Sequence, residues 1–229
     1  MTDISTRIAN LSPAKQALLK LQMQQQKGLI SFVSSFHKGT SFTSDNNSNK
    51  LSALELSSAY LQFQKWSKKS DNNHLLRIEK HLVHKDYEQN VLIARIEKLY
   101  DDVIVGEVTQ DISHPFFYEH PKDHVPGLYI LEVTRQFVTA LSHLHYKVPL
   151  STSFILNEMH TKFHQFAETS QPLFVATKIS GKVYTDDRIM KMNGDVLLIQ
   201  NGEVIAEVKG NFQIFEANSY QKIRSNHFS

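Results

Sequence analysis

Hydrophobic positions change their period along this chain, and the changes mark out its parts. Leu11, Ala14, Ala17, Leu18 and Leu21 recur at helical spacing behind Ser12 and Pro13, an N-cap and first-turn pair. This predicts one amphipathic helix that ends before the polar run Gln24 to Lys27. The stretch from Gly39 to Lys50, rich in Ser, Thr and Asn, predicts a loop or linker. A second helix then starts with clear signals. Ser52 and Glu55 form a capping box, and Leu51 and Leu56 are placed as a hydrophobic staple. Leu54, Ala59, Leu61, Phe63 and Trp66 supply its apolar surface before a polar stretch, Ser67 to Asn73, ends it.

From Val91 onward the pattern changes to strands rich in apolar and β-branched residues. VLIARIE and VIVGEVT flank a turn at Tyr100 to Asp102. After one long apolar helix come SFILNEMHTKFHQF, LFVATKISGKVYT, MKMNGDVLLIQ and VIAEVKGNFQIF. Asn201-Gly202 between the last two is a type I′ hairpin signal. The order strand, strand, long helix, antiparallel meander predicts an α+β domain over residues 76–229, preceded by a helical extension with polar linkers over residues 1–75. No internal repeat is evident.

Composition narrows the classes. At 229 residues the chain suits one well-buried domain with an appendage. Its formal charge of +2 without a dense basic run argues against nucleic acid as a partner. Zero cysteines exclude disulfides, thiolate catalysis and a Cys-type zinc site. No apolar run approaches the roughly 20 residues of a membrane helix, and MTDISTRIANLSP lacks a signal-peptide core. A cytoplasmic protein without a membrane partner is expected.

Candidate chemistry concentrates between His114 and Gln136, HPFFYEHPKDHVPGLYILEVTRQ. Pro126 presets φ for a first helical turn, and Gly127 lets a ligand approach the backbone. Free N–H groups and the positive dipole end there suit an oxyanion, such as a thioester carbonyl gaining charge. Glu132 lies among Leu128, Ile130, Leu131, Val133, Phe137, Val138 and Leu141, with few basic neighbours nearby in sequence. Such burial predicts a raised pKa and general-base work near neutral pH, against the plainer role of a structural acid paired with Arg135 or with a histidine across a dimer.

The run DHVPGLYILEVTRQ, with HPFF before it and LVHK (Leu82 to Lys85) upstream, resembles the A-factor biosynthesis (AfsA-type) family, from about Leu82 to Phe215. More distantly, the spacing from Pro-Gly to Glu to Gln is similar to that of the β-hydroxyacyl carrier-protein dehydratases. Both resemblances imply a hotdog fold, an antiparallel sheet wrapped round a long helix, acting on acyl thioesters. The AfsA-type proteins carry two hotdog units and this chain shows one, so the resemblance implies a homodimer.

Under that resemblance Glu132 is the expected base. Gln136, one turn on, either orients the carboxylate, binds substrate or hydrogen-bonds the surrounding sheet's backbone. Arg135 either holds a phosphate on a phosphopantetheine arm or a phosphorylated acceptor, or forms a surface salt bridge. His120 is the nearest equivalent of the dehydratase histidine, although its loop is two residues shorter than theirs, which counts against dehydration. His124 acts chemically or holds the turn, and His114 caps or packs at the end of the preceding strand, within reach of substrate.

Metal binding finds little support among the twelve histidines. His120 and His124 lie in a Pro-interrupted segment, and His160 and His164 stand too far apart along a strand. No GxSxG elbow occurs. The expected activity is transfer of an acyl group, of β-ketoacyl type, from an acyl carrier protein or CoA to a hydroxyl acceptor. No cofactor of its own is expected. Alternatives are a dehydratase using His120 with Glu132, a thioesterase, and a noncatalytic acyl-binding module. The phrase NLSPAKQALLKLQ is also similar to segments that begin modules of peptide and polyketide assembly lines. It makes residues 1–27 a candidate docking element, against the plainer reading of a helix packed on its own domain.

Overall fold

The computed structural model describes residues 51–67, 76–100, 102–119, 123–185, 188–216 and 219. The expected helix from Leu11 to Leu21, the linker at 39–50 and His120 lie outside them.

Helix α1 (Ala53–Ser67) begins as its capping box dictates, with the Ser52 N–H donating to Glu55 at 2.6 Å and the Glu55 N–H donating to Ser52 Oγ at 3.3 Å. Two 3-10 turns follow at Lys80–Val83 and Glu88–Asn90, then strands β1 (Ile93–Lys98) and β2 (Val103–Val108). Helix α2 (Gly127–Tyr146) precedes β3 (Ser153–Phe163), β4 (Phe174–Thr185), β5 (Arg188–Gln200) and β6 (Glu203–Phe215). All pairings are antiparallel, in the order β1-β2-β4-β5-β6-β3. Asn201 and Gly202 both adopt positive φ, 53° and 77°, as a type I′ turn requires.

Strand alternation divides the core between two faces of the sheet. Ile104, Val175, Ile179, Leu198 and Val208 join Tyr129, Val133, Phe137 and Leu141 of α2. Their sequence neighbours Val103, Val105, Phe174, Ala176, Leu197 and Ile199 turn the other way, onto Leu56, Ala59, Phe63 and Trp66 of α1. A long helix held by an antiparallel sheet makes this an α+β hotdog fold, with α1 covering the sheet's outer face. Phe63 stacks on Phe174 at 4.6 Å between ring centroids. Leu54 and Leu61, expected to add to the apolar face of α1, instead point to solvent at 72% and 49% exposure. The buried face is set by Leu56, Ala59, Phe63 and Trp66.

Helix α2 approaches β2 closely. A Cβ on Gly106 would stand 2.9 Å from both the Phe137 ring and Val175, so glycine there lets the helix seat on the sheet. Pro126 sits one position earlier than expected. It is the N-cap, with ψ 144°, and its carbonyl accepts the Ile130 N–H at 3.2 Å.

Candidate active site

On the side of α2 facing β5, β6 and β3 lies a cavity of about 660 Å³. Apolar side chains dominate its wall: Leu131 and Val138 from α2, Phe154, Leu156 and Met159 from β3, and Phe212 from β6. Gly194 and Gly210 line it from β5 and β6. Among the described lining residues the charged groups are Lys85, Glu132 and Arg135, with His114 and Asn90 beside them. An apolar slot with a few converging polar groups is the usual form of a ligand site.

Glu132 is the most heavily bonded of these. Arg135 clasps it with Nε 2.8 Å from Oε2 and Nη2 2.8 Å from Oε1. Lys85 Nζ lies 2.8 Å from Oε1, and Gln136 Nε2 donates to the same oxygen at 2.9 Å. Burial alone would raise the pKa of this carboxyl. The hydrogen bonds and charge of Arg135, with Lys85 and Gln136, outweigh it and hold the group down at about 2. The expected raised pKa and lack of basic neighbours are therefore corrected. The second cation comes from Lys85, forty-seven positions upstream, carried to α2 by the 3-10 turn that ends in LVHK.

Gln136 is fully buried and locked in orientation. Its Oε1 accepts the Leu92 N–H at 2.8 Å, so its Nε2 must point to the Asn90 carbonyl at 2.7 Å and to Glu132. It therefore both orients the carboxylate and bonds backbone, two roles the sequence left as alternatives. Arg135 also reaches the Val83 carbonyl at 3.3 Å, tying α2 to the 3-10 turn. The salt bridge weighed for Arg135 does form, at the cavity wall.

His114 is buried and lines the cavity. Its Nδ1 accepts the Phe116 N–H at 3.2 Å, which leaves Nε2 to donate to Asn90 Oδ1 at 3.1 Å. Burial lowers its pKa and favours the neutral ring, despite the opposing charge of Asp111. His124 is not brought to the cavity. It pairs with Asp123 at 2.7 Å, packs on Phe166 and forms an isolated bridge with Glu168. Pro126 and Gly127 are also absent from the lining, to which α2 contributes from Leu128 onward. The expected oxyanion site at the helix start therefore does not face this cavity, because Gly127 sits under the Phe163 ring instead, its Cβ position 3.3 Å from the ring edge.

Sequence reasoning assigned no role to Lys85, Asn90 or the strand residues of the slot, although LVHK already flagged the first. It also missed a histidine pair. His84 Nε2 and His143 Nε2 are 3.0 Å apart, and both rings stand edge-on to Phe154. His143 Nδ1 lies 2.8 Å from the Val148 carbonyl and donates to it, so His84 supplies the shared proton. Burial, His143 and Arg135 lower the pKa of His84. His160 pairs with Glu158 and His164 with Glu207. Among the described residues no group of three or more His, Cys, Asp or Glu is arranged to hold a metal ion, and no helix is long and apolar enough to cross a membrane.

Residues 66–216 match the A-factor biosynthesis hotdog domain. The 2-oxo-3-(phosphooxy)propyl 3-oxoalkanoate synthase of Streptomyces griseus is 28% identical over 101 residues, covering 44% of this chain and 30% of that protein. The match thus spans under a third of that relative's length. Among solved structures, the dehydratase heterocomplex ApeI:P of Xenorhabdus doucetiae superposes with a TM-score of 0.50 at 14% identity, over 66% of this chain and 98% of the other. A hypothetical thioesterase with coenzyme A from Streptococcus pneumoniae gives a TM-score of 0.40 at 13% identity, over 53% and 85%.

Proposed function

Because the chain belongs to the A-factor biosynthesis hotdog domain family, we propose that it is an acyl-thioester enzyme that transfers an acyl group, of β-ketoacyl type, from a carrier protein or coenzyme A to a hydroxyl acceptor. The observation that carries this reading is the cavity, an apolar slot of about 660 Å³ with Glu132, Arg135 and Lys85 on its wall. The slot takes the acyl chain, and the polar wall takes the reacting end. Glu132 accepts the proton of the acceptor hydroxyl, whose oxygen attacks the thioester carbonyl. The C–S bond breaks, and the thiolate takes that proton back from Glu132. Gln136 positions the carboxylate, and His114, its one N–H given to Asn90, stands as a neutral ring at the wall. The thioester arrives on a phosphopantetheine arm or on CoA, so no resident cofactor is required.

The active form in this reading is a homodimer. Strand β3 closes one end of the sheet and pairs only with β6 among the described strands. It also supplies Phe154, Leu156 and Met159 to the cavity, with Leu156 half-exposed. A second copy adding its own β3 would cover that edge and complete the slot. Docking through residues 1–27 concerns a segment outside the described residues.

A noncatalytic acyl-binding role is the second reading, favoured by one observation. With its pKa near 2, Glu132 in the arrangement seen is a weak base. Glu132→Gln separates the two readings. Under the catalytic one this variant retains binding of an acyl-pantetheine and loses turnover. Turnover at the wild-type rate would remove Glu132 from the mechanism.

A further inference from the structure

Charge does not balance at the cavity wall. Two cations, Lys85 and Arg135, close on one carboxylate, and Glu132 is the only acid among the described lining residues. Among the acids nearby, Asp111 pairs with Arg77 at 2.8 Å and Glu79 with His81 at 3.1 Å, while the exposed Asp86 and Glu88 do not line the cavity. Burial holds down the pKa of the neighbouring imidazoles His84, His143 and His114, so these rings favour the neutral state. A surplus of one positive charge remains beside an apolar slot.

Donors are also in surplus. Glu132 Oε1 already accepts from Arg135, Lys85 and Gln136, and Oε2 accepts from Arg135 Nε. Arg135 Nη1 and two of the three Lys85 N–H groups have no acceptor among the described residues. A guanidinium with an ammonium beside it suits a phosphate, where the fork gives direction and the ammonium adds charge. A carboxylate ligand would merely replace Glu132 one for one. A phosphate monoester, with a charge of about −1.5 to −2 at neutral pH, would satisfy both cations at once.

We propose that Lys85 and Arg135 form a phosphate-binding pair on which Glu132 is the resting anion, so that an acceptor's phosphate takes the two cations and frees Glu132 to act as base. This deepens the acyl-transfer reading and rests on it. With phosphate bound, the charge on the groups around Glu132 falls from about +2 to near zero, and its affinity for a proton rises. The consequence is selectivity against water. A thioester held beside a permanently active base would hydrolyse, whereas here the base is released only when the phosphorylated acceptor has arrived. Lys85 thus has two parts, restraining Glu132 at rest and binding the acceptor's phosphate when it arrives.

The test uses the full chain, a small β-ketoacyl thioester of N-acetylcysteamine and methyl phosphate, which carries the anion without an acceptor hydroxyl. In the wild type, methyl phosphate should bind by calorimetry and accelerate thioester hydrolysis. In Lys85→Met its binding should fall at least tenfold. Hydrolysis without any phosphate should rise in that variant, with the acid limb of its pH profile displaced upward. Lys85→Arg should restore both wild-type properties. Wild-type hydrolysis indifferent to methyl phosphate, with an unchanged pH limb in Lys85→Met, would overturn the proposal. So would a Lys85 effect confined to phosphopantetheine thioesters and absent from pantetheine ones, since the phosphate recognised would then belong to the carrier arm. Lys85-dependent binding of methyl phosphate without transfer to any hydroxyl acceptor would sink the transfer reading while upholding the phosphate pair.

Discussion

Arg135 grips Glu132 side-on, both nitrogen-to-oxygen distances being 2.8 Å, across three positions of the same helix. Two parallel charge-assisted bonds fix the carboxylate plane as well as its charge. The clasp, with Lys85 and Gln136 added, makes Glu132 a fully ionised group at neutral pH.

That clasp should be visible in stability against pH. The folded pKa of Glu132, about 2, lies below the ordinary 4.5, so its contribution is complete above pH 4.5 and is lost as pH falls towards 2. The shift corresponds to something on the order of 3 kcal/mol. Urea unfolding of the wild type and of Glu132→Gln at pH 7, 5 and 3 checks it. The variant should be the less stable at pH 7 and should show a flatter decline with acid, whereas parallel declines would show that the clasp does not couple to folding.

Gln136→Ala should destabilise by about 2–4 kcal/mol, because it strands the buried Leu92 N–H and removes two further bonds. Gln136→Glu should be no better, since a second carboxylate would face both Glu132 and the Asn90 carbonyl. Denaturant midpoints for both variants decide this. A midpoint within error of the wild type would mean that water replaces the amide.

Much of this arrangement was legible in the sequence. Apolar, β-branched runs located the six described strands, Asn201-Gly202 located a hairpin, and the apolar run after Pro126 located α2. The spacing of Glu132, Arg135 and Gln136 put three site residues on one helix. The charge state of Glu132 was not legible, because Lys85 meets it only through the packing of the 3-10 turn against α2. Nor was the orientation of the helix start, since Phe163, far along the chain, decides what Gly127 faces. Local signals report local geometry, and both failures concern contacts between distant segments.

Helix α1 should unfold with the sheet it covers. Trp66 is the sole tryptophan, and it lies with Phe63 near Phe174. Its fluorescence and the far-ultraviolet dichroism should therefore report one coincident transition. Phe63→Ala should move both together, at a cost of about 3–5 kcal/mol. A fluorescence change at lower denaturant than the dichroism would separate α1 from the domain.

Leu131→Trp should shorten the acyl chains accepted while leaving the fold intact, since Leu131 lines the slot and is only partly buried. The kcat/KM for long-chain thioesters should fall more than that for short ones. An equal fall across chain lengths would place the acyl chain elsewhere.

The most direct test of the account is intact-mass measurement of a β-ketoacyl-loaded carrier protein incubated with this protein, with and without dihydroxyacetone phosphate. The account predicts loss of the acyl mass only when the acceptor is present. Loss without acceptor, loss of a single water, or no change under either condition would contradict it.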